Sequence, residues 1–286
     1  MAFAVGAALN IGFVVIEGGY GLISGSMALL ADAGHNLGDV AGLLTAWTAS
    51  VLAKRNPTAR YTYGLRSSSM LAALINASAL LVITGAIAGE ALRRLFAPTP
   101  VMGPMVMGVA AVGILVNGLT AALFASGRKG DINVRGAFLH MLSDMLVSVA
   151  VVVAGGLIWL TGWGLIDPLL SLGISALIIF ASFDLLRESV SMVMQAVPRA
   201  IDPQAVKTLL AEWPGVSDLH DLHIWPMSTT ETALTCHLVM PKGHPGDAAI
   251  SSICTALNQR FQIGHATLQI ETDQSFACPL APEHVI

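Results

Sequence analysis

The chain has 286 residues, 55% of them hydrophobic and only 11% charged, with a formal net charge of −4 and a mean hydropathy of +0.72. Ordinary soluble domains carry about 25% charged residues, so this composition belongs to a chain that lies largely in lipid, and its negative balance argues against nucleic acid as a partner. The three cysteines, Cys236, Cys254 and Cys278, fall in the polar last third without paired spacing, which excludes a disulfide framework and suits a reducing compartment.

Six segments reach the roughly 20 residues that span a bilayer. The first runs from Phe3 to Ile23 and shows no cleavage-site pattern, so it reads as a span and not as a signal peptide. The turn Ser24, Gly25, Ser26 leads to the second, Met27 to Leu52, closed by Lys54 and Arg55. The loop NPTARYTYG precedes the third, Ser68 to Leu92, and Pro98, Pro100 and Pro104 mark the connection to the fourth, Met105 to Ala125. Arg128, Lys129 and Asp131 lie in the next loop, followed by the fifth span, Val134 to Leu160, then TGWG and the sixth, Ile166 to Leu186. The loops after spans two and four hold Lys54, Arg55, Arg60, Arg66, Arg128, Lys129 and Arg135, whereas those after spans one and five hold no Lys or Arg. The positive-inside rule therefore predicts cytoplasmic termini. Arg93 and Arg94, at the end of span three, are the exception, and a basic pair at a helix end can snorkel.

The character changes near Gln195. Asp202 and Pro203 open a helix in N-cap and first-turn positions. Strand-like runs follow at VSDLHDLHIW and ETALTCHLVM, then a helical stretch from Asp247 to Phe261, then HATLQIE. The order α-β-β-α-β predicts a small α+β domain with helices on one face of a sheet. The expected division is a membrane domain over 1–194 and a cytoplasmic domain over 195–286.

Two His-x-x-x-Asp pairs interrupt the apolar spans: His35 and Asp39 in the second, His140 and Asp144 in the fifth. A spacing of four puts both members of a pair on one helix face. They lie on stripes of small and polar residues, Ala28, Asp32, His35, Asp39, Gly42, Ala46 and Asn133, Ala137, His140, Asp144, Ser148, which suit close helix packing away from lipid. An Asp near the bilayer centre costs about 2.5–3.5 kcal/mol on insertion scales, and apart from Arg135 at the very start of the fifth span neither span carries a basic residue. Two such faces together supply two imidazoles and two carboxylates, the donor set of a tetrahedral zinc site. Metal must displace protons from these ligands, so the two compete for one site. Asn10 and Glu17 on span one, and Asn117 on span four, are candidates for lining a polar path or for helix–helix hydrogen bonding; Asp32 is a candidate proton carrier or a partner of loop backbone.

The runs SGSMALLADAGHNLGD, YTYGLR, NVRGAFLHMLSD and HDLHIW resemble the cation diffusion facilitator family, with the nearest likeness to bacterial cobalt–zinc–cadmium resistance proteins and animal zinc transporters. The resemblance covers essentially the whole chain. It implies an α-helical membrane protein, with a six-transmembrane-helix bundle followed by a small ferredoxin-like α+β cytoplasmic domain. It further implies a homodimer in a membrane, here read as the bacterial inner membrane, that exports Zn²⁺ in exchange for protons by alternating access. The implied transport ligands are His35, Asp39, His140 and Asp144. In the family, His at position 35 goes with zinc preference, and imidazole favours Zn²⁺ over harder cations; Cd²⁺ and Co²⁺ remain further candidate substrates. Zn²⁺ is expected both as the transported ion and as a regulatory one, with no organic cofactor. Some relatives carry an extra metal site in the loop after span two. Here AKRNPTARYTYGLR has no His or acidic residue, so none is expected there, and the short start lacks the His-rich lead of many relatives.

In the polar domain, alternation puts Leu234, Cys236, Leu238 and Met240 on one strand face and His237 on the other; Ala266, Leu268 and Ile270 oppose His265 and Glu271. With the resemblance, His220, His237, His265 and Glu271 become candidates for cytosolic zinc-sensing sites, and Cys278 for a further ligand. His223 is expected to be structural, His244 and His284 to have no role. An intramembrane metal-dependent enzyme is the contrasting class, but it would want an open coordination position and a base, as in HExxH, which this chain lacks. A passive channel fits a saturated four-ligand site poorly.

Overall fold

The computed structural model describes residues 2–125, 132–273 and 278–281, without the side chains of 2–10, 43, 46, 50, 124 and 132–137. Asn10, Ala46, Asn133, Arg135 and Ala137 therefore lie outside the described side chains, and Arg128, Lys129, Asp131 and His284 outside the described residues. Six long helices come first: α1 (Ala2–Ser24), α2 (Met27–Ala53), α3 (Ser68–Phe96), α4 (Gly103–Ala125), α5 (Ile132–Thr161) and α6 (Ile166–Val193). The order α7 (Pro203–Ala211), β1 (Asp218–Pro226), β2 (Thr232–Val239), α8 (Asp247–Phe261), β3 (Ile263–Glu271) then follows as expected. Among the described residues four helices are long and apolar enough to cross a membrane by composition alone, those of α3, α4, α5 and α6. The polar stripe of Asp32, His35, Asn36 and Asp39 dilutes the apolar character of α2.

By contacts the chain forms two compact units, Met1–Thr45 with Ile75–Leu186, and Ala46–Leu74 with Arg187–Ile286. The first is built inside out relative to a soluble protein. Glu17, Asp32, Asn117 and Ser148 are buried, whereas Val82, Leu177 and Phe180 are exposed, as lipid-facing helices require. Its apolar centre gathers Phe13, Leu29, Leu80, Val106, Val151 and Ile174. Gly34, Gly38 and Gly42, four apart on α2, let α3 come close: a Cβ at Gly38 would lie 2.7 Å from Leu80 Cδ1. At the crossing of α4 and α5 a Cβ on Gly103 would lie 2.7 Å from the Gly155 carbonyl.

The α1–α2 turn is held by a buried carboxylate. Asp167, in the first turn of α6, accepts the Met27 N–H at 2.6 Å, the Ala28 N–H at 3.3 Å and the Ser26 hydroxyl. Ser26 Oγ in turn accepts the Leu29 N–H at 3.2 Å. A negative charge thus meets the start of α2, where unpaired N–H groups and the helix dipole favour it. Arg93 and Arg94 also find an internal answer: both pair with Glu90 on α3, at 2.8 and 2.9 Å, and Arg94 donates to the Gly25 carbonyl.

In the second unit Asp202 caps α7 by accepting the Gln204 N–H, with Pro203 in the first turn. The sheet has the order β1-β2-β3, antiparallel between β1 and β2 and parallel between β2 and β3, with α8 as the crossover. Val206, Leu210, Leu234, Leu238, Ile253 and Leu257 fill its core. A bulge between His220 and His223 puts Asp221 at φ 52°. The β1–β2 turn seats on the start of α3, through Arg66 and Glu231 at 2.6 Å and the Thr229 N–H on Ser69 Oγ at 3.1 Å.

Two outcomes follow from these contacts. Asp167→Ala leaves several buried donors unpaired and is expected to lower stability by about 2–5 kcal/mol, with Asp167→Asn losing less; thermal unfolding in detergent reads this. Burial pushes the Cys236 thiol up to about 12, above its ordinary value, so its neutral form favours the folded state below the unfolded thiol's range and that contribution fades as pH rises towards 12. Iodoacetamide at pH 8 should therefore label Cys236 only after unfolding, as peptide mapping would show.

Candidate metal centre

Helices α2 and α5 present their His-x-x-x-Asp faces to each other. His35 Nε2 lies 3.5 Å from Asp39 Oδ2 and 4.0 Å from Asp144 Oδ1. His140 Nε2 lies 3.1 Å from Asp39 Oδ2 and 3.6 Å from Asp144 Oδ2. The two imidazole rings meet nearly at right angles, 83°, with centroids 6.0 Å apart, so both Nε2 atoms converge on the space between the carboxylates. Four N or O ligands about 2.0–2.1 Å from a tetrahedral ion stand about 3.3 Å from one another, and the four His–carboxylate distances bracket that value. Ligand atoms of His35, His140 and Asp144 fall within 4.8 Å of one another, a set that does not include Asp39. Asp39 Oδ2, Asp144 Oδ2 and His35 Nδ1 are buried without a hydrogen-bond partner, which leaves the carboxylate oxygens free for a cation. Asp144 is the most enclosed of the four, its side chain 3% exposed against 41% for His140.

A second cluster sits on the sheet. His220 and His237 are direct partners across β1 and β2, with ring centroids 5.0 Å apart. Glu271 Oε1, at the end of β3, lies 2.7 Å from His237 Nδ1 and 3.3 Å from His220 Nε2. Cys278 Sγ lies 3.7 Å from His237 Nδ1. One ligand atom from each of these four residues falls within 4.8 Å of all the others. Burial disfavours the charge on Glu271, but the hydrogen bond with His237 and the neighbouring Cys278 and His220 outweigh it and hold its carboxyl below the usual value. The Leu280 N–H favours the Cys278 thiolate, yet burial and Glu271 outweigh it and hold the thiol above its ordinary value. A cation in the cluster would replace the proton there.

His265 does not join this cluster. It shares a strand face with Glu271, but six residues at about 3.3 Å each separate them along β3. It stands opposite Ala233 and meets the edge of the Tyr63 ring at 5.7 Å. Asp221, which alternation alone turns away from His220, is brought in by the bulge: its Oδ2 lies 3.6 Å from His237 Nε2 and its Oδ1 2.8 Å from His223 Nε2. That contact orients His223. His244 Nδ1 accepts the Gly246 N–H at 3.1 Å, a loop contact.

The family model described as the cation efflux transmembrane domain matches residues 3–194, and that of the cation efflux protein cytoplasmic domain matches 198–273. The zinc transporter ZitB of Escherichia coli is 40% identical over 91% of this chain and 83% of its own length. The cadmium, cobalt and zinc/H(+)-K(+) antiporter of Bacillus subtilis is 34% identical over 92% and 86%. The metal cation efflux system protein CzcD of Cupriavidus metallidurans is 31% identical over 93% and 85%; the solved metal-bound C-terminal domain of that transporter is 30% identical over 25% of this chain and 99% of its own, with a TM-score of 0.24. Six long helices, a small α+β unit and these matches make the chain a membrane transporter and not an enzyme: it belongs to the cation diffusion facilitator family of cation efflux proteins.

Proposed function

We propose that the protein exports Zn²⁺ from the bacterial cytoplasm across the inner membrane in exchange for protons, with Cd²⁺ and Co²⁺ as further substrates. The observation that carries this reading is the approach of each imidazole to both carboxylates, at 3.1–4.0 Å, across α2 and α5. Two neutral imidazoles and two carboxylates make a neutral complex with Zn²⁺, which lowers the cost of holding a dication among apolar helices. Each ligand must be unprotonated to bind metal. If the site opens alternately to the two sides, metal leaving on one side is replaced by protons, and their return to the other completes the exchange. The imidazole of His35 weights the set towards zinc and away from harder cations. The names of the relatives, a zinc transporter and a cadmium, cobalt and zinc antiporter, agree with this substrate class.

In this reading 1–194 form the membrane domain and 195–286 the cytoplasmic one, both termini face the cytoplasm, and two copies pair as a homodimer. The basic loop residues Lys54, Arg55, Arg60 and Arg66 support that orientation. His220, His237, Glu271 and Cys278, with Asp221 beside them, act as a cytosolic zinc site that senses the ion; the mixed N, O and S donors suit Zn²⁺.

Zinc flux into proteoliposomes tests the transport reading. The wild type should respond to an imposed pH gradient, and Asp39→Ala should lose about 90% or more of the flux, as expected for removing one of four ligands of a buried dication. Flux indifferent to both gradient and substitution would refute antiport. For the cytosolic site, equilibrium dialysis of the full chain carrying Asp39→Ala should show one zinc per chain fewer on His237→Ala and no change on His265→Ala.

A further inference from the structure

Beyond the four-ligand site, the first unit buries a second set of polar groups that has no partner. Glu17 on α1 and Asp32 on α2 are each 1% exposed, and Asn117 on α4 and Ser148 on α5 are fully buried. Both Glu17 oxygens, Asp32 Oδ2, both Asn117 amide atoms, Asn36 Nδ2 and Ser148 Oγ lack hydrogen bonds. Glu17 stands beside Asp32 and Asn36, and Asp32 beside Ser148. The other charge felt by both carboxyls is that of Asp144, so among the described residues nothing cationic faces them. Burying two adjacent carboxylates without a counter-charge is prohibitive. A proton shared between Glu17 and Asp32, which stand side by side, would relieve one of the two charges but would leave Asn117 without a partner.

Position supplies the rest. Asp32 precedes His35 by three residues and Ser148 follows Asp144 by four, so both lie on the ligand faces about one turn, 5 Å, towards the α1–α2 turn. Gly113 lets α4 approach there, since a Cβ on it would lie 2.9 Å from Ser148 Oγ. Asn117 is one turn further along α4.

We propose that Glu17 and Asp32, with Ser148 Oγ, form a second cation station that receives the divalent metal as it leaves the four-ligand site. The proposal rests on the export reading, in which the α1–α2 turn faces outward. Oxygen donors alone hold Zn²⁺ less tightly than a set containing two imidazoles, so the metal passes from the tighter site to a looser one without exposing its charge to lipid.

Mn²⁺, which accepts oxygen ligands, is the probe, followed by electron paramagnetic resonance on the full chain in nanodiscs. His35→Ala, His140→Ala, His220→Ala and His237→Ala together remove the imidazole sites. That background is expected to bind Mn²⁺, and Glu17→Gln with Asp32→Asn to weaken binding about tenfold or more, as removing ligand charge does at oxygen sites. Ser148→Ala, which leaves every carboxylate in place, should weaken it less but measurably. Binding unchanged in both sets overturns the station and leaves water or protons as the occupants. Zinc flux separates the two readings: flux that ignores Asp39→Ala removes the transit role along with export, whereas flux that needs Asp39 but survives Glu17→Gln with Asp32→Asn at the wild-type rate overturns the transit role alone.

Discussion

A carboxylate buried among apolar helices must meet positive charge or several hydrogen-bond donors, and the membrane unit is organised by how each of its carboxylates meets that demand. Asp167 meets it with the free N–H groups at the start of α2 and the Ser26 hydroxyl. Glu90 meets it with Arg93 and Arg94 on its own helix. These two answers are internal and permanent, and they fix the α1–α2 turn and the end of α3. Among the described residues Asp39 and Asp144 pair with His35 and His140, whose charge depends on a proton. Glu17 and Asp32 face no cation among the described residues. The degree to which a carboxylate is left unsatisfied therefore separates the groups that hold the bundle together from those available to a mobile ion.

The two His-containing clusters reach similar ligand distances by different local rules. In the bundle, each helix supplies an i, i+4 pair, and two elements suffice. On the sheet, His220 and His237 are brought together by cross-strand pairing, Glu271 comes from the next strand, and Cys278 from the segment beyond it. The sheet cluster thus depends on more of the chain being in register, and its completion reports on the order of the segment that carries Cys278. Its thiol adds a softer donor that the membrane set lacks.

The six helices and the α-β-β-α-β order were legible because apolar runs are long and their breaks carry Gly, Pro or charge. The His–Asp pairs of α2 and α5 were legible for the converse reason: a His or Asp inside such a run stands out, and helical spacing fixes which residues share a face. Long-range partners were not. Nothing in TGWGLIDP says that Asp167 will cap a helix 140 residues earlier. Nor does HDLHIW declare the bulge that carries Asp221 beside His237, since alternation assumes a regular strand. His265 shows the limit of the face argument, because sharing a face with Glu271 leaves open where along the strand each residue lies, and the parallel register sets it opposite Ala233.

The pairwise construction of the four-ligand set has a mechanical corollary. His35 and Asp39 move together because one helix carries both, and His140 and Asp144 likewise. The set is complete only while α2 and α5 keep one relative position. A displacement of one helix against the other by a single turn, about 5.4 Å, would exceed every contact between the pairs while leaving each pair intact. α2 is tied to α6 through Asp167 and to α3 through the Gly34, Gly38 and Gly42 stripe, and α5 to α4 through the close crossing at Gly103 and Gly155. Small-residue contacts of this kind hold helices close without interlocking side chains. In the export reading, metal affinity would follow the α2–α5 offset, so a cycle that moves the helices would need no separate device to release its cargo.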